Sequence, residues 1–405
     1  TGSYVAIDPA TTNFTSGKGL LVRAPNNCSS TIASAYPGEF TGVPHNGNYS
    51  VSIANNPANT TSVPANIGFN LLGNPYASPI DADAYLAANT GAGVTALYFW
   101  THTEAANASG NYATSNYASF NSLGGTAAAA GGLTPDGIIQ VGQGFLANTN
   151  TGGTAVFNNG MRLASSNGQF FKTSGQLNQA TTVEKHRMWF DLNSPGNNHN
   201  QILVGYIQGA TNGLDASFDA NLFAETSSAL YSSLSNGKFV IQGRALPFVS
   251  SDSVPLGLLA QTAGQYTITL SNFDGLFSGQ DVYLRDNLLN VTHDIKDSAY
   301  TFASAAGEFD SRFEIVYAAP LAVEIPTFNE SSVVVYKNES GINVNAGEIV
   351  IDNVKVFDIR GRLLLSKSNI NDSSIILENS IANNQVLIIQ ISTLDNQTIS
   401  KKIVN

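Results

Sequence analysis

One cysteine in 405 residues cannot close an intramolecular disulfide, so this chain must be stabilised by packing rather than by cross-links. Cys28 reads as a small buried or half-buried residue. Charge is scarce as well: 12% of residues are charged, against about a quarter in ordinary globular proteins. The 18 Lys and Arg are outnumbered by 29 Asp and Glu, for a net charge of -11. Without a basic cluster the chain has no means of neutralising phosphates, and neither nucleic acid nor anionic lipid is expected as a partner. Hydrophobic runs are short. Nowhere do about 18 apolar residues follow one another, so no transmembrane segment is expected. The chain opens at Thr1 with neither Met nor a charged-then-apolar leader. That start fits a removed signal peptide or, preferably, the later part of a longer protein.

What is present is a 42% hydrophobic composition punctuated by 37 glycines, with apolar residues recurring at period two between Gly, Asn, Ser, Thr and Pro. That pattern belongs to antiparallel strands and turns. Strands are expected at Gly19 to Arg23, Asn48 to Ile53, Ile67 to Leu72, Ala96 to Trp100, Ile138 to Phe145 and Thr154 to Phe157. One helix should run from Pro79 to about Ala88, with Ser78 as its cap and Asp81 near its positive end. The uncharged Ala105 to Pro135 stretch reads as a long surface loop, and Gly175 to Thr182 as a boundary. Beyond it, Arg187 to Leu192 and Gln201 to Ile207 make a hairpin, and further strands follow to Tyr317. The expected fold is all-β: β-rich, sandwich-like domains over residues 1–182 and 183–318, an extended linker over 319–329, and a small immunoglobulin-like sandwich over 330–405. The two front domains should form one rigid unit, with the tail moving about the Pro-containing linker. Within the tail, Val386 to Ile391 is apolar on both faces and reads as a central, doubly covered strand.

The chemistry of catalysis is thin. None of His45, His102, His186, His199 and His293 stands at metal-ligand spacing from another. His102-Thr-Glu104 has the core of a zinc-deaminase motif without its cysteines, and no nucleophile elbow or phosphate-cradling loop occurs. No enzymatic activity and no cofactor are expected. Acid-base glycosidases use two carboxylates, and the closest pairs are Asp81 with Asp83, Asp215 with Asp219, and Asp294 with Asp297. Asp81 reads as a helix-start residue. Asp215 and Asp219 are the weak candidates for calcium, although loop aspartates more often accept local backbone amides. Trp100, Tyr112 and Tyr117 flank the neutral loop and are the candidates for stacking on sugars, with core packing the competing role of Trp100.

Val354-Lys-Val-Phe-Asp-Ile-Arg-Gly-Arg-Leu-Leu364, Val386 to Ser392 and Thr398-Ile-Ser-Lys-Lys-Ile-Val-Asn405 together resemble the C-terminal sorting domain of Bacteroidota type IX secretion cargo. The resemblance departs from the commonest subtype at Val335-Tyr-Lys-Asn338 and is closest to the variant of large flavobacterial surface proteins. Upstream, Gly68 to Asp81, Leu97 to Trp100, Gly142 to Phe145, Asn159 to Arg162, Leu203 to Ile207, Gly209 to Asp215 and Ile241 to Phe248 are similar to regions that precede such domains. The resemblance implies export through the periplasm and outer membrane to the cell surface or medium, with the outer-membrane translocon and its cargo-shuttle protein as partners. It points to Val354, Asp358, Arg360, Gly361, Arg362, Lys401, Lys402, Ile403, Val404 and Asn405 as the secretion signal. The front domains would be a structural or adhesive platform. The alternative is a module binding surface glycans in a secreted polysaccharide-processing protein, with its enzyme domain upstream.

Overall fold

A computed structural model describes residues 7–8, 11–22, 42–56, 68–101, 116–129, 131–164, 183–196, 198–222, 228–234, 237–318, 328–338, 340–378 and 385–404. The described residues are all-β apart from one α-helix and a few 3-10 turns. Cys28, His102, Tyr112, Asn405 and the boundary at Gly175 to Thr182 lie outside the described residues, as does most of the expected linker.

Residues 69–149 form a five-stranded sheet in the order Phe69–Gly73, Gly144–Thr149, Val94–Trp100, Tyr117–Asn121, Gly124–Thr126. Alternation along Val94–Trp100 divides its side chains between two cores. Leu97 and Phe99 join Tyr85, Leu86 and Phe157 on the helix side, whereas Ala96 and Tyr98 face the opposite way. The helix spans Ala82–Ala88, one turn later than expected, and its cap is Asp81 rather than Ser78. Asp81 Oδ1 accepts the amides of Asp83 and Ala84 at 2.8 and 3.1 Å. Ile80 and Asp81 are held extended by pairing with Ile139 and Ile138, so helical geometry cannot begin sooner. The expected strand at Ile138 to Phe145 is accordingly two, Ile138–Ile139 and Gly144–Thr149, separated by a turn in which Gly142 takes φ +72°. Residues 19–22 form no strand, and Leu21 and Val22 are exposed.

From Lys185 to Val316 the strands make one eleven-stranded sheet. Its two halves bury one core, with Met188, Phe190 and Leu192 from one side meeting Leu256, Leu258, Phe313 and Ile315 from the other, so the sheet folds over on itself. All neighbouring strands are antiparallel except Asn198–Ile207 and Gly237–Ala245, which run parallel. The expected hairpin is present as Lys185–Ser194 paired with Asn198–Ile207.

The five-stranded sheet lies on the outer side of this large sheet. Ala96, Tyr98, Leu123 and Leu146 share a third core with Trp189, Leu203, Ile207 and Ile241. This corrects the surface-loop reading of the neutral stretch: Tyr117–Asn121 and Gly124–Thr126 are strands, and Ala128 is fully buried. Small residues are what the contact requires, because a Cβ at Gly205 would stand 2.9 Å from Leu123 Cδ1, and one at Gly124 3.2 Å from Leu203 Cδ2, across the junction.

The tail is a small sandwich. Strands Val334–Asn338, Gly341–Asn345 and Ser374–Leu377 form one sheet, and Leu363–Asp372, Ile351–Asp358, Val386–Thr393 and Thr398–Val404 the other. Ile342, Val344, Val354, Val356, Leu387, Ile389 and Ile391 fill the space between them. The expected strand at Glu348 to Ile351 is a turn through Gly347, at φ +65°, followed by a strand that starts only at Ile351. Nor is the tail detached, as an independently moving domain would be. Val334–Asn338 is apolar on both faces: Val333 and Val335 belong to the tail's own core, while Val334 and Tyr336 belong to that of the folded-over sheet.

Candidate functional site

Strands Ile351–Asp358 and Leu363–Asp372 are joined by a tight hairpin turn at Asp358 to Arg362. The Gly361 amide donates to the Asp358 carbonyl at 3.0 Å, and the Asp358 amide to the Arg362 carbonyl at 3.1 Å. Asp358 Oδ1 accepts the amides of Arg360 and Arg362, each at 2.9 Å, and Oδ2 accepts Arg362 Nε at 3.1 Å. The Arg362 amide foremost, helped by the other donors, holds the Asp358 carboxyl below the ordinary carboxylate range. Gly361 takes φ +79°, a conformation that glycine adopts without a Cβ penalty, and nothing lies within 4 Å of where its Cβ would stand. Its substitution cost is therefore one of backbone geometry alone. Gly361→Val is expected to lower stability by about 1–2 kcal/mol, and Gly361→Asn by less, in urea unfolding of the whole chain. Equal losses for the two would contradict this.

The sheet register brings this turn to the same end as the strand Thr398–Val404. Asp358 pairs with Leu387, which pairs with Ile403, and in the adjoining row Phe357, Ile388 and Lys402 stand side by side. Residues about forty positions apart thus share one edge of the fold. Their roles differ, however. Val354 is a fully buried core residue, and Ile403 packs against the same core. Arg360, Gly361, Arg362, Lys402 and Val404 are exposed. The two lysines are not equivalent. Lys402 lies on the outer face, whereas Lys401 is half-buried on the inner one, where desolvation draws its ammonium below the ordinary value against the opposing charge of Glu330. Thr398–Val404 pairs only with Val386–Thr393 among the described residues, and no described strand pairs with its other side. Val386–Thr393 is central in its sheet as expected, but it is covered on one face only: Ile388 is 36% exposed. Phe357, Leu363, Val386 and Ile388 were not singled out from the sequence as site residues, though the two-sided apolarity of Val386 to Ile391 was the available signal.

The other candidates are explained locally. Trp100 and Tyr117 are a half-buried cross-strand pair with rings 5.0 Å apart, edge to face. Asp215 Oδ2 accepts the hydroxyl of Thr211 at 2.9 Å, while the two oxygens of Asp219 accept the amides of Asp215 and Gly243 at 2.6 and 2.9 Å. Asp294 Oδ1 likewise accepts the amides of Lys296 and Asp297. Among the described residues no group of three or more His, Cys, Asp or Glu could hold a metal ion. Burial pushes the Asp219 carboxyl up to about 6, against the lowering effect of its two amide donors. Because that lies above the unfolded value of about 3.9, its stabilising contribution is complete below pH ~4 and is lost as pH rises through about 6. The carboxyl carbon resonance of Asp219 should titrate with a midpoint near 6; a midpoint near 4 would refute the assignment.

Fold and site together define a class: an all-β protein of stacked sheets carrying a small terminal β-sandwich whose hairpin and outermost strand meet at one end. Residues 1–317 match the family described as Domain of unknown function (DUF8693), and residues 321–405 match Domain of unknown function (DUF8694). The first match covers most of the chain, which belongs to the DUF8693 family. No curated protein matches it.

Proposed function

We propose that the chain is the C-terminal part of an exported cell-surface protein, in which the terminal sandwich is the signal for type IX secretion and the stacked sheets before it are a structural or adhesive platform without catalytic activity. The observation that carries this reading is the convergence of the Asp358 to Arg362 turn and the strand Thr398–Val404 at one end of a compact module. Both belong to the segments on which the resemblance to sorting domains rests, and Val386 to Ser392, the third, runs between them. An outer strand with no described strand paired to its other side could offer backbone groups to a receptor, as in recognition by strand addition. The translocon and its shuttle protein would be the readers, and the cell surface or medium the destination. The test places the full chain behind a signal peptide in a type IX-competent bacterium, beside versions lacking residues 401–405 or 328–405. The intact chain is expected at the surface or in the medium, and each shortened version there at no more than a tenth of that level. Equal delivery of all three would overturn the proposal.

A further inference from the structure

The terminal four-stranded sheet has an inner face that fills the sandwich core and an outer face that, among the described residues, is left exposed at its hairpin end. One row across that outer face reads Leu363, Phe357, Ile388, Lys402. The next row toward the hairpin end pairs Val386 with Val404, and Ile359 stands beside them in the turn. Leu363 is 50% exposed, and Ile359 and Val404 are each 71% exposed. None of the six apolar residues among these belongs to the sandwich core. In the opposite direction the same face turns polar, through Lys355, Gln390 and Ser400 and then Ser392 and Thr398. Apolar surface is therefore gathered at one end rather than scattered, which is the arrangement that marks an interaction site.

Among the described residues of this outer face and its turn, the free charges are cationic. Lys355 and Lys402 stand on the face, Arg360 and Arg362 on the turn, and the only carboxylate of the turn, Asp358, is folded back onto its own amides and Arg362. This is a local positive rim in a chain of net charge -11. A second copy of the same edge would set Lys402 against like charge, which disfavours self-pairing. A membrane could meet the apolar residues and the cations but could not use the backbone of Thr398–Val404 alongside them.

We propose that this end of the outer face, centred on Phe357, Leu363, Ile388 and Val404, docks a partner protein whose contact surface is apolar at its centre and acidic at its rim. The inference rests on the secretion reading for where the partner is met, and it deepens that reading by naming the partner's chemistry. Opposite charge at the rim would steer encounter and fix register, while the apolar centre supplies the attraction.

The experiment places a photo-crosslinking amino acid at Ile388 of the full chain, and in a separate version at Ser368 on the polar part of the sheet, in the type IX-competent bacterium. A protein adduct is expected from position 388 and at least tenfold less from position 368. The pair Arg360→Glu and Lys402→Glu should lower the adduct at least tenfold with unchanged melting, and reversing acidic residues of the captured protein to Lys at the crosslinked site should restore it. Absence of an adduct at 388, a lipid-only adduct, an adduct with a second copy of the chain, or indifference to the charge reversal would each overturn the docking proposal. Secretion that proceeds and depends on residues 328–405 while position 388 captures nothing defeats this inference alone. Delivery that ignores the tail while the charge-dependent adduct persists defeats the secretion reading and leaves the docking surface standing.

Discussion

Asp286→Ala should cost about 3–5 kcal/mol of unfolding free energy, among the largest losses available to a single substitution in this chain. Asp286 and Arg312 form an ion pair whose side chains are 0% and 1% exposed. Arg312 Nη2 donates to Asp286 Oδ2 at 3.0 Å, and the guanidinium lies 4.5 Å from the ring centre of Phe302 and 4.9 Å from that of Phe313. Asp286 Oδ1 also accepts the amides of Leu288 and Leu289, and Oδ2 the hydroxyl of Tyr300. Removing the carboxylate strands a cation among aromatic rings and frees the turn at once. Arg312→Met removes the cation but leaves Asp286 its amide and hydroxyl donors, so the loss should be smaller. The double variant should lose less than the sum of the two, because no charge is then left unpaired. Urea unfolding of the four proteins measures this coupling, and a loss below about 1 kcal/mol for Asp286→Ala would contradict it.

The second large effect concerns the stacked sheets. If the chain is cut at a protease site introduced between residues 165 and 182, the two pieces should elute together in gel filtration. Beyond the shared core of Tyr98, Leu123, Trp189 and Leu203, three sets of polar contacts cross the junction. Trp189 Nε1 donates to the Gly125 carbonyl at 2.9 Å, and Arg187 Nη1 to the Leu123 carbonyl at 3.2 Å. Gln201 Oε1 accepts the Ala127 amide at 3.0 Å and the Thr134 hydroxyl at 3.1 Å. Trp189, 7% exposed, is the largest side chain in that contact, and its truncation to Ala should cost about 3–5 kcal/mol and let the cut pieces separate. Separate elution of the cut, otherwise unaltered chain would show that the contact does not hold the layers together.

Strand content was legible because alternation is a local property: Asn48 to Ile53 carries the period of a pleated ribbon in its own residues. The turn at Gly361 was legible for the same reason, since one position needed a positive φ and held a glycine. What alternation cannot say is what covers each face. Trp189 and Met188 are neighbours in sequence, yet one faces the five-stranded sheet and the other the folded-over core. The Ala- and Gly-rich stretch near residue 126 looked like loop because it offers no large apolar side chain, and it is buried because small residues permit a close approach between layers.

The sequence by itself determined the all-β class, most of the strands, and the place of a turn at Gly361, each of which depends on neighbouring residues through backbone sterics and side-chain alternation. Only the tertiary structure decided that the tail shares a core with the sheet before it, through Val334 and Tyr336. It alone set the Asp358 turn beside Val404 and left Ile388 uncovered. Those outcomes depend on which sheet faces meet and on register between strands far apart in the chain, and no local period encodes either.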